Sequence, residues 1–304
     1  MRRVSIVVLV VASAACGRSD WPDPPPVDPA QYQQEYAAWR ADRQQTIASS
    51  LPIVGIWPLP EGETAFGTDS SLPVALPAAQ APARAGVFRR RGFNVTVVPA
   101  SGVGLRAAGK PVDGPAPVTF EQGISIGTID LALAAAPDGR LWLTGSDSAH
   151  PAATNPPLAQ AYPLDPRWRL AARFDAFETP RPVQVADVRG GVMEFDAVGQ
   201  LVFRVDDHER RLTAFGIPDA DMFFVMFKDA TNESTTYRGY RILSVRKAPP
   251  GELTVVDFNL AFNPPCAFSP YTVCPLPPPE NRLDVAVEAG EQRLPSAQGY
   301  MPPS

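Results

Sequence analysis

Histidine and cysteine are scarce, with two of the former and three of the latter among 304 residues. His150 and His208 stand in no metal-binding spacing, so neither a metal site nor a cofactor is expected. Long apolar runs are missing as well. The run at residues 4–11 falls well short of the roughly 20 residues that a spanning helix needs, and nothing later is longer in that sense. Strong charge of one sign is also absent. A net charge of -5 with no basic stripe excludes nucleic acid as a partner, and Arg89-Arg90-Arg91, the one basic cluster, reads as a solvated hairpin tip.

What the chain does have begins at its start. Met1, Arg2 and Arg3 precede the apolar run, and the small residues Ala12, Ser13, Ala14 and Ala15 lead into Cys16. That layout is a secretory signal, expected over residues 1–15, with a cysteine placed to carry lipid. Ser13 departs from the leucine common in lipoprotein signals, and an ordinary signal with an incidental cysteine is the alternative. Residues 16–29 are proline-rich and read as a semi-rigid stalk. The expected location is therefore the periplasmic face of a bacterial cell envelope, with the membrane touched through lipid alone. Cys266 and Cys274 remain, and in an oxidising compartment their spacing suits a disulfide worth roughly 2–3 kcal/mol.

The 36 prolines and 22 glycines fall between short apolar runs, as they do where turns join short strands. Residues 30–50 are the exception: Tyr32, Tyr36 and Trp39 recur at helical spacing, which predicts an amphipathic helix. Residues 51–149 alternate over 93–98, 124–133 and 141–143, with Pro137-Asp138-Gly139 as a turn. The polar, proline-rich stretch 150–166 opens a C-terminal β domain over 150–295, followed by a tail at 296–304. In that domain strands are expected over 168–174, 183–188, 192–195 and 201–205, then a hairpin tip at 206–209 and five further strands. The predicted class is mainly β: an N-terminal helix, a small β-sandwich, then an antiparallel barrel or sandwich.

Gly123-Ile124-Ser125-Ile126-Gly127 matches the nucleophile elbow G-x-S-x-G, but the residues after it alternate as a strand does, so no catalytic serine is expected. Denser polar signals lie further on. Asp229 and Thr231 end an apolar strand, and Tyr237 and Arg241 open the next. An Asp and a Thr there can hold a turn, or Asp229 can face Arg241 across a pocket. Alternation places Asp257 and Asn259 on one face of a strand end. Asn263, Asn281, Glu288 and Glu291 complete the candidate binding or catalytic cluster.

The segments F-K-D-A-T, T-Y-R-G-Y-R, D-F-N-L-A-F-N-P-P-C-A-F, C-P-L-P-P-P-E-N-R-L and E-A-G-E occur in this order. They resemble the signature of domain of unknown function 1684, a family containing many bacterial lipoproteins. The resemblance extends back through Trp57-Pro58-Leu59-Pro60-Glu61-Gly62-Glu63 and Phe66-Gly67-Thr68-Asp69. Leu260 stands where the family tends to place arginine. The family implies no reaction, so it assigns no catalytic residue.

The stretch from Phe66 to Leu76 also resembles a forkhead-associated β-sandwich. Thr68, Ala83-Arg84-Ala85 and Ala108-Gly109 replace the residues that such domains use for phosphothreonine, so the resemblance implies the fold and not the ligand. Two functions follow as expectations. The first is a non-catalytic envelope module for a small molecule, a glycan or a protein partner. The alternative is a hydrolase-type enzyme with its polar site at the strand ends of the C-terminal β domain.

Overall fold

The computed structural model describes residues 21–294 apart from 78–79, 136–138, 156–158, 189, 217–219 and 250. The expected signal (1–15), Cys16, the tail (296–304) and most of the Pro137-Asp138-Gly139 turn lie outside the described residues. Helix α1 (Pro29–Ser50) starts where sequence reasoning places it, because the Asp28 side chain accepts from the Gln31 N–H and Pro29 tolerates the first turn. No helix among the described residues is long and apolar enough to cross a membrane.

Two sheets follow. β1 (Ile53–Pro58), β2 (Gly62–Gly67), β3 (Val74–Ala75), β4 (Gly86–Arg91), β5 (Asn94–Pro99), β6 (Leu105–Ala107), β7 (Lys110–Val112), β8 (Ala116–Val118), β9 (Ile124–Ile126), β10 (Ile129–Ala135) and β11 (Leu141–Asp147) supply their strands. They are ordered β1-β11-β10-β9-β6-β7 and β3-β2-β4-β5-β8. Phe66, Phe88 and Val97 of one sheet share a core with Ile129, Leu131 and Leu143 of the other, so this is a β-sandwich. The alternating burial of β10 and β11 is the period-two pattern seen in the sequence. Ser125 lies within β9, paired with Asp130 of β10, and no helix follows it. Arg89 and Arg91 are exposed beside the β4–β5 turn, as expected of a solvated tip, and Arg90 alone differs. Arg90 is tucked in, donating to the Leu59 and Gly139 carbonyls at 2.6 and 2.8 Å.

A short helix, α2 (Pro151–Thr154), leads to the third sheet. Its strands are β12 (Arg169–Ala186), β13 (Val192–Val205), β14 (His208–Phe215), β15 (Met222–Phe227), β16 (Arg241–Arg246) and β17 (Thr254–Asp257), ordered β16-β15-β14-β13-β12-β17. The sheet curls into a nearly closed barrel. Between its end strands the Thr254 hydroxyl donates to the Arg246 carbonyl, and Ile242 bridges Phe262 just beyond β17. Leu201, Phe203, Leu212, Val225, Leu243 and Val256 fill the interior.

Four expected strands are therefore two long ones. The 168–174 and 183–188 segments join in β12, and 192–195 and 201–205 join in β13. A register shift between Ala176 and Arg181 absorbs Pro180, which reads in sequence as a break. The turn after β13 is Asp206-Asp207, both at positive φ, while His208 and Glu209 already pair with Val205 and Arg204.

Residues 21–28 are held to the body. The Trp21 indole donates to the Ala171 carbonyl at 3.0 Å, and Arg169 donates to the Pro25 carbonyl at 2.5 Å. The described part of the expected stalk thus lies along β12 rather than projecting from it.

Candidate functional site

Eight members of the expected polar cluster fall into four separate groups, and Tyr237 and Glu288 stand outside them. The first cluster centres on Asp229, which caps the 3₁₀ turn Ala230–Glu233 at the end of β15. Its Oδ1 accepts from the Thr231 N–H, the Thr231 hydroxyl and the Val287 N–H, at 2.9, 2.6 and 3.1 Å. Its Oδ2 accepts from Arg241 Nη2 at 2.7 Å, and both side chains are 0% exposed. Arg241 also donates to the Val287 and Ala289 carbonyls and lies over the Phe227 ring. Its Nε has no partner among the described residues. Asn232 returns the cap, accepting from the Asp229 N–H at 2.7 Å.

Asn281 forms the second cluster. Fully buried, it accepts from the Thr213 N–H at 2.7 Å and donates to the Thr213 and Met226 carbonyls at 2.9 and 2.8 Å. β14 and β15 pair only at Phe215 and Phe224, so one side-chain amide stands in for a missing stretch of ladder.

The third cluster overturns the alternation argument. Asp257 ends β17, but Asn259 lies in the 3₁₀ turn Phe258–Leu260, drawn there because Asp257 Oδ1 caps it. Phe258 points into the barrel core against Phe203 and Phe227. Asp257 Oδ2 accepts from the Tyr32 hydroxyl at 2.7 Å, while Asn259 exchanges two bonds with the Asp165 backbone. Burial pushes the Asp257 carboxyl above the usual aspartate range, against the bonds from Tyr32 and Asn259 that favour its ionised form. Burial likewise pushes the Tyr32 phenol up, which keeps it a donor.

That shift sets a pH dependence. A carboxyl whose folded pKa lies above its unfolded value binds its proton more tightly in the folded state. Its contribution to stability is present below the unfolded pKa and is lost as pH rises through the folded one. We expect the stability difference between wild type and Asp257→Asn to favour wild type most near pH 4 and to shrink toward pH 7. Parallel melting curves across that range measure it, and a difference growing with pH would contradict the assignment.

The fourth cluster contains a residue that sequence reasoning missed. Arg43 of α1 is buried and grips Glu291, with Nε to Oε1 at 3.1 Å. It also donates to the Asn263 carbonyl at 3.1 Å and lies over the Phe262 ring at 4.3 Å. Glu291 accepts from the Asn263 N–H at 2.8 Å, and Asn263 Nδ2 donates to the Gln292 carbonyl at the same distance. Asn263 Oδ1 has no partner among the described residues. The signal was available: Arg43 continues the Tyr32-Tyr36 stripe by seven residues, and Ile47 follows it four later.

Tyr237 is buried with its hydroxyl 3.4 Å from the Cys266 carbonyl, and Glu288 is exposed, apart from the others. Cys266 and Cys274 stand as buried free thiols, without the expected bond between them. They are neighbours all the same: the Cys266 N–H donates to Cys274 Sγ at 3.3 Å. Their thiol hydrogen bond, aided by burial, holds the Cys266 thiol far above its ordinary range. No group of metal-ligating side chains occurs among the described residues.

Three cavities among the described residues lie largely apart from these clusters. One of about 500 Å³ opens at the bulge of β12, lined by Phe174, Phe177, Val198, Phe223 and Lys247 among others. A second, of about 520 Å³, lies along edge strand β1 beside Trp142 and Tyr271. A third, of about 500 Å³, lies between the proline-rich segment and the start of α1. The four polar clusters contribute Tyr32 to the third and no side chain to the other two.

Comparison with known proteins supports the family resemblance over residues 158–292 and does not extend to the Trp57 to Asp69 stretch. No curated protein matches the chain. An uncharacterized protein of Haloarcula marismortui, solved by NMR in solution, is 33% identical over 44% of this chain and 75% of that one, with a TM-score of 0.38. A family model described as "Protein of unknown function (DUF1684)" matches residues 158–292, the stretch that holds β12 through β17 and all four polar clusters' C-terminal members. The match spans residues 158–292, under half of the chain, and over that stretch the protein is similar to the DUF1684 family.

Proposed function

We propose that this protein is tethered by lipid on Cys16 to the periplasmic face of a bacterial envelope, where its β body acts as a non-catalytic binding module. One observation carries the second half of that reading. The buried polar groups of the family motifs bond to one another and to backbone, and none of their side chains lines the three cavities described above. A hydrolase needs an acid or base within reach of substrate in a concave site. Asp257 has the shifted carboxyl, yet Tyr32 and Asn259 occupy both of its oxygens.

The first half rests on the signal-like start, the small residues before Cys16 and the export-compatible cysteine count. In an oxidising compartment the neighbouring Cys266 and Cys274 thiols would close into a disulfide, which needs little movement from their present contact.

Mass spectrometry of the full chain, recovered from membranes of an expressing bacterium, tests both. The expected product starts at an acylated Cys16 and carries no alkylatable thiol until reduced. A product that starts elsewhere, or two freely alkylated cysteines, would remove the envelope reading. Turnover of an ester, glycoside or peptide substrate that Asp257→Asn abolishes would overturn the non-catalytic one.

A further inference from the structure

We infer that the cavity at the β12 bulge is a binding site for the hydrocarbon part of a single-chain amphiphile, such as a medium-chain fatty acid. The inference rests on the reading of the β body as a binding module and names the site and ligand class. Its floor is aromatic: the Phe174 and Phe223 rings lie 4.1 Å apart between centroids, and Phe223 and Val198 are both buried. Phe177 forms one wall, and the turn after β16, with Ala248 and Pro249, forms another. A volume of about 500 Å³ falls within the range of small-molecule sites.

The backbone is arranged to make this space. Between Ala176 and Arg181 the register shifts, so β12 leaves β13 at the barrel's rim, where bulges commonly border sites. Gly199 lies under the Phe174 ring. A Cβ there would stand 2.5 Å from its Cζ and 2.6 Å from the Asp175 carbonyl, so only glycine lets the ring fold across β13 and roof the core.

The chemistry of the lining selects the ligand. Phe174, Phe177, Val198 and Phe223 offer no side-chain hydrogen bond, so a polar group taken to the floor would lose its water without replacement. Burying hydrocarbon there is favourable in proportion to the area removed from water. Charge is confined to the rim. Lys247, whose ammonium lies 5.1 Å from the Phe223 centroid, stands there with the exposed Glu178 and Glu252. A charged or hydroxylated head can remain in water among them while its chain lies inward.

The test uses the full chain with Cys16→Ser, which leaves no attached lipid to compete. The probe is the neutral fluorophore N-phenyl-1-naphthylamine, displaced by decanoate or by monodecanoylglycerol. Saturable binding in the micromolar range is expected, with displacement by one or both. Ala176→Trp from an exposed position and Ala248→Trp from a half-buried one fill the mouth, and each should weaken binding at least tenfold at an unchanged melting temperature. Saturable binding that both variants retain would overturn the site and leave the module reading standing. No saturable binding by the Cys16→Ser protein would overturn the ligand class. Hydrolysis of p-nitrophenyl decanoate by the same preparation would overturn the module reading itself.

Discussion

Arg241→Met will cost about 3–5 kcal/mol of stability, because it leaves the Asp229 carboxylate without its cation in a place that water does not reach. Asp229 retains the Thr231 and Val287 bonds, but those are dipoles and not a countercharge. The Val287 and Ala289 carbonyls also lose their donor, so the segment after Leu283 is loosened at the same time. Asp229→Ala should cost a similar amount by stranding the guanidinium. The double variant Asp229→Ala with Arg241→Met should lose less than the sum of the two, since neither buried charge remains.

Urea unfolding measures this through the midpoint at unchanged slope. The outcome also separates scaffold from site. Groups held for a ligand are kept at a cost to stability, and removing them is neutral or stabilising. A loss under about 1 kcal/mol in both single variants would make the pair a site and reopen the hydrolase reading.

The pair matters because of what it joins. Asp229 and Arg241 flank β15 and β16, yet their remaining bonds reach Val287 and Ala289, and Arg43 on α1 reaches Glu291 just beyond. The E-A-G-E segment is therefore a strap lying across the barrel's open seam, pinned at one end by the β15–β16 junction and at the other by the N-terminal helix. Gly290 belongs to the same strap: at φ of 75° its Cα passes so near the Ala261 carbonyl that a Cβ would sit 2.5 Å from it.

Local rules made much of this legible. The α1 stripe, the alternation of β10 and β11, and the Asp206-Asp207 turn follow from periodicity and turn chemistry alone. Two readings failed where a local rule had a competitor. Pro180 reads as a strand break, but a bulge accommodates it within β12. Asp257-Phe258-Asn259 alternates as a strand would, but an aspartate followed by a free N–H two residues on is also a cap, and the cap prevails. The partners were not legible at all. Tyr32 and Asp257 are 225 residues apart, Arg43 and Glu291 248, and no periodicity connects them.

Asn281 shows how such a distant partner becomes indispensable. β14 and β15 pair at Phe215 and Phe224 and part toward Thr213 and Met226, leaving the Thr213 amide and the Thr213 and Met226 carbonyls facing a gap inside the barrel wall. An amide side chain has one acceptor and two donors to meet them, and the 3₁₀ turn Pro279–Asn281 delivers it. Asn281→Asp is nearly isosteric, yet it should be the more damaging exchange. It keeps the acceptor for the Thr213 N–H but sets a charged oxygen against two carbonyls in a fully buried place. Asn281→Leu removes the clash and strands all three backbone groups, at about 1–3 kcal/mol for each unmet one. Both should be at least about 3 kcal/mol less stable than wild type at pH 7, with the Asp variant recovering as pH falls toward about 4, because burial against two carbonyls raises its carboxyl's pKa and protonation restores a donor. Recovery of the Asp variant on acidification, absent from the Leu variant, is the result to measure. If both behave alike across pH, the amide fills space there and does not replace a ladder.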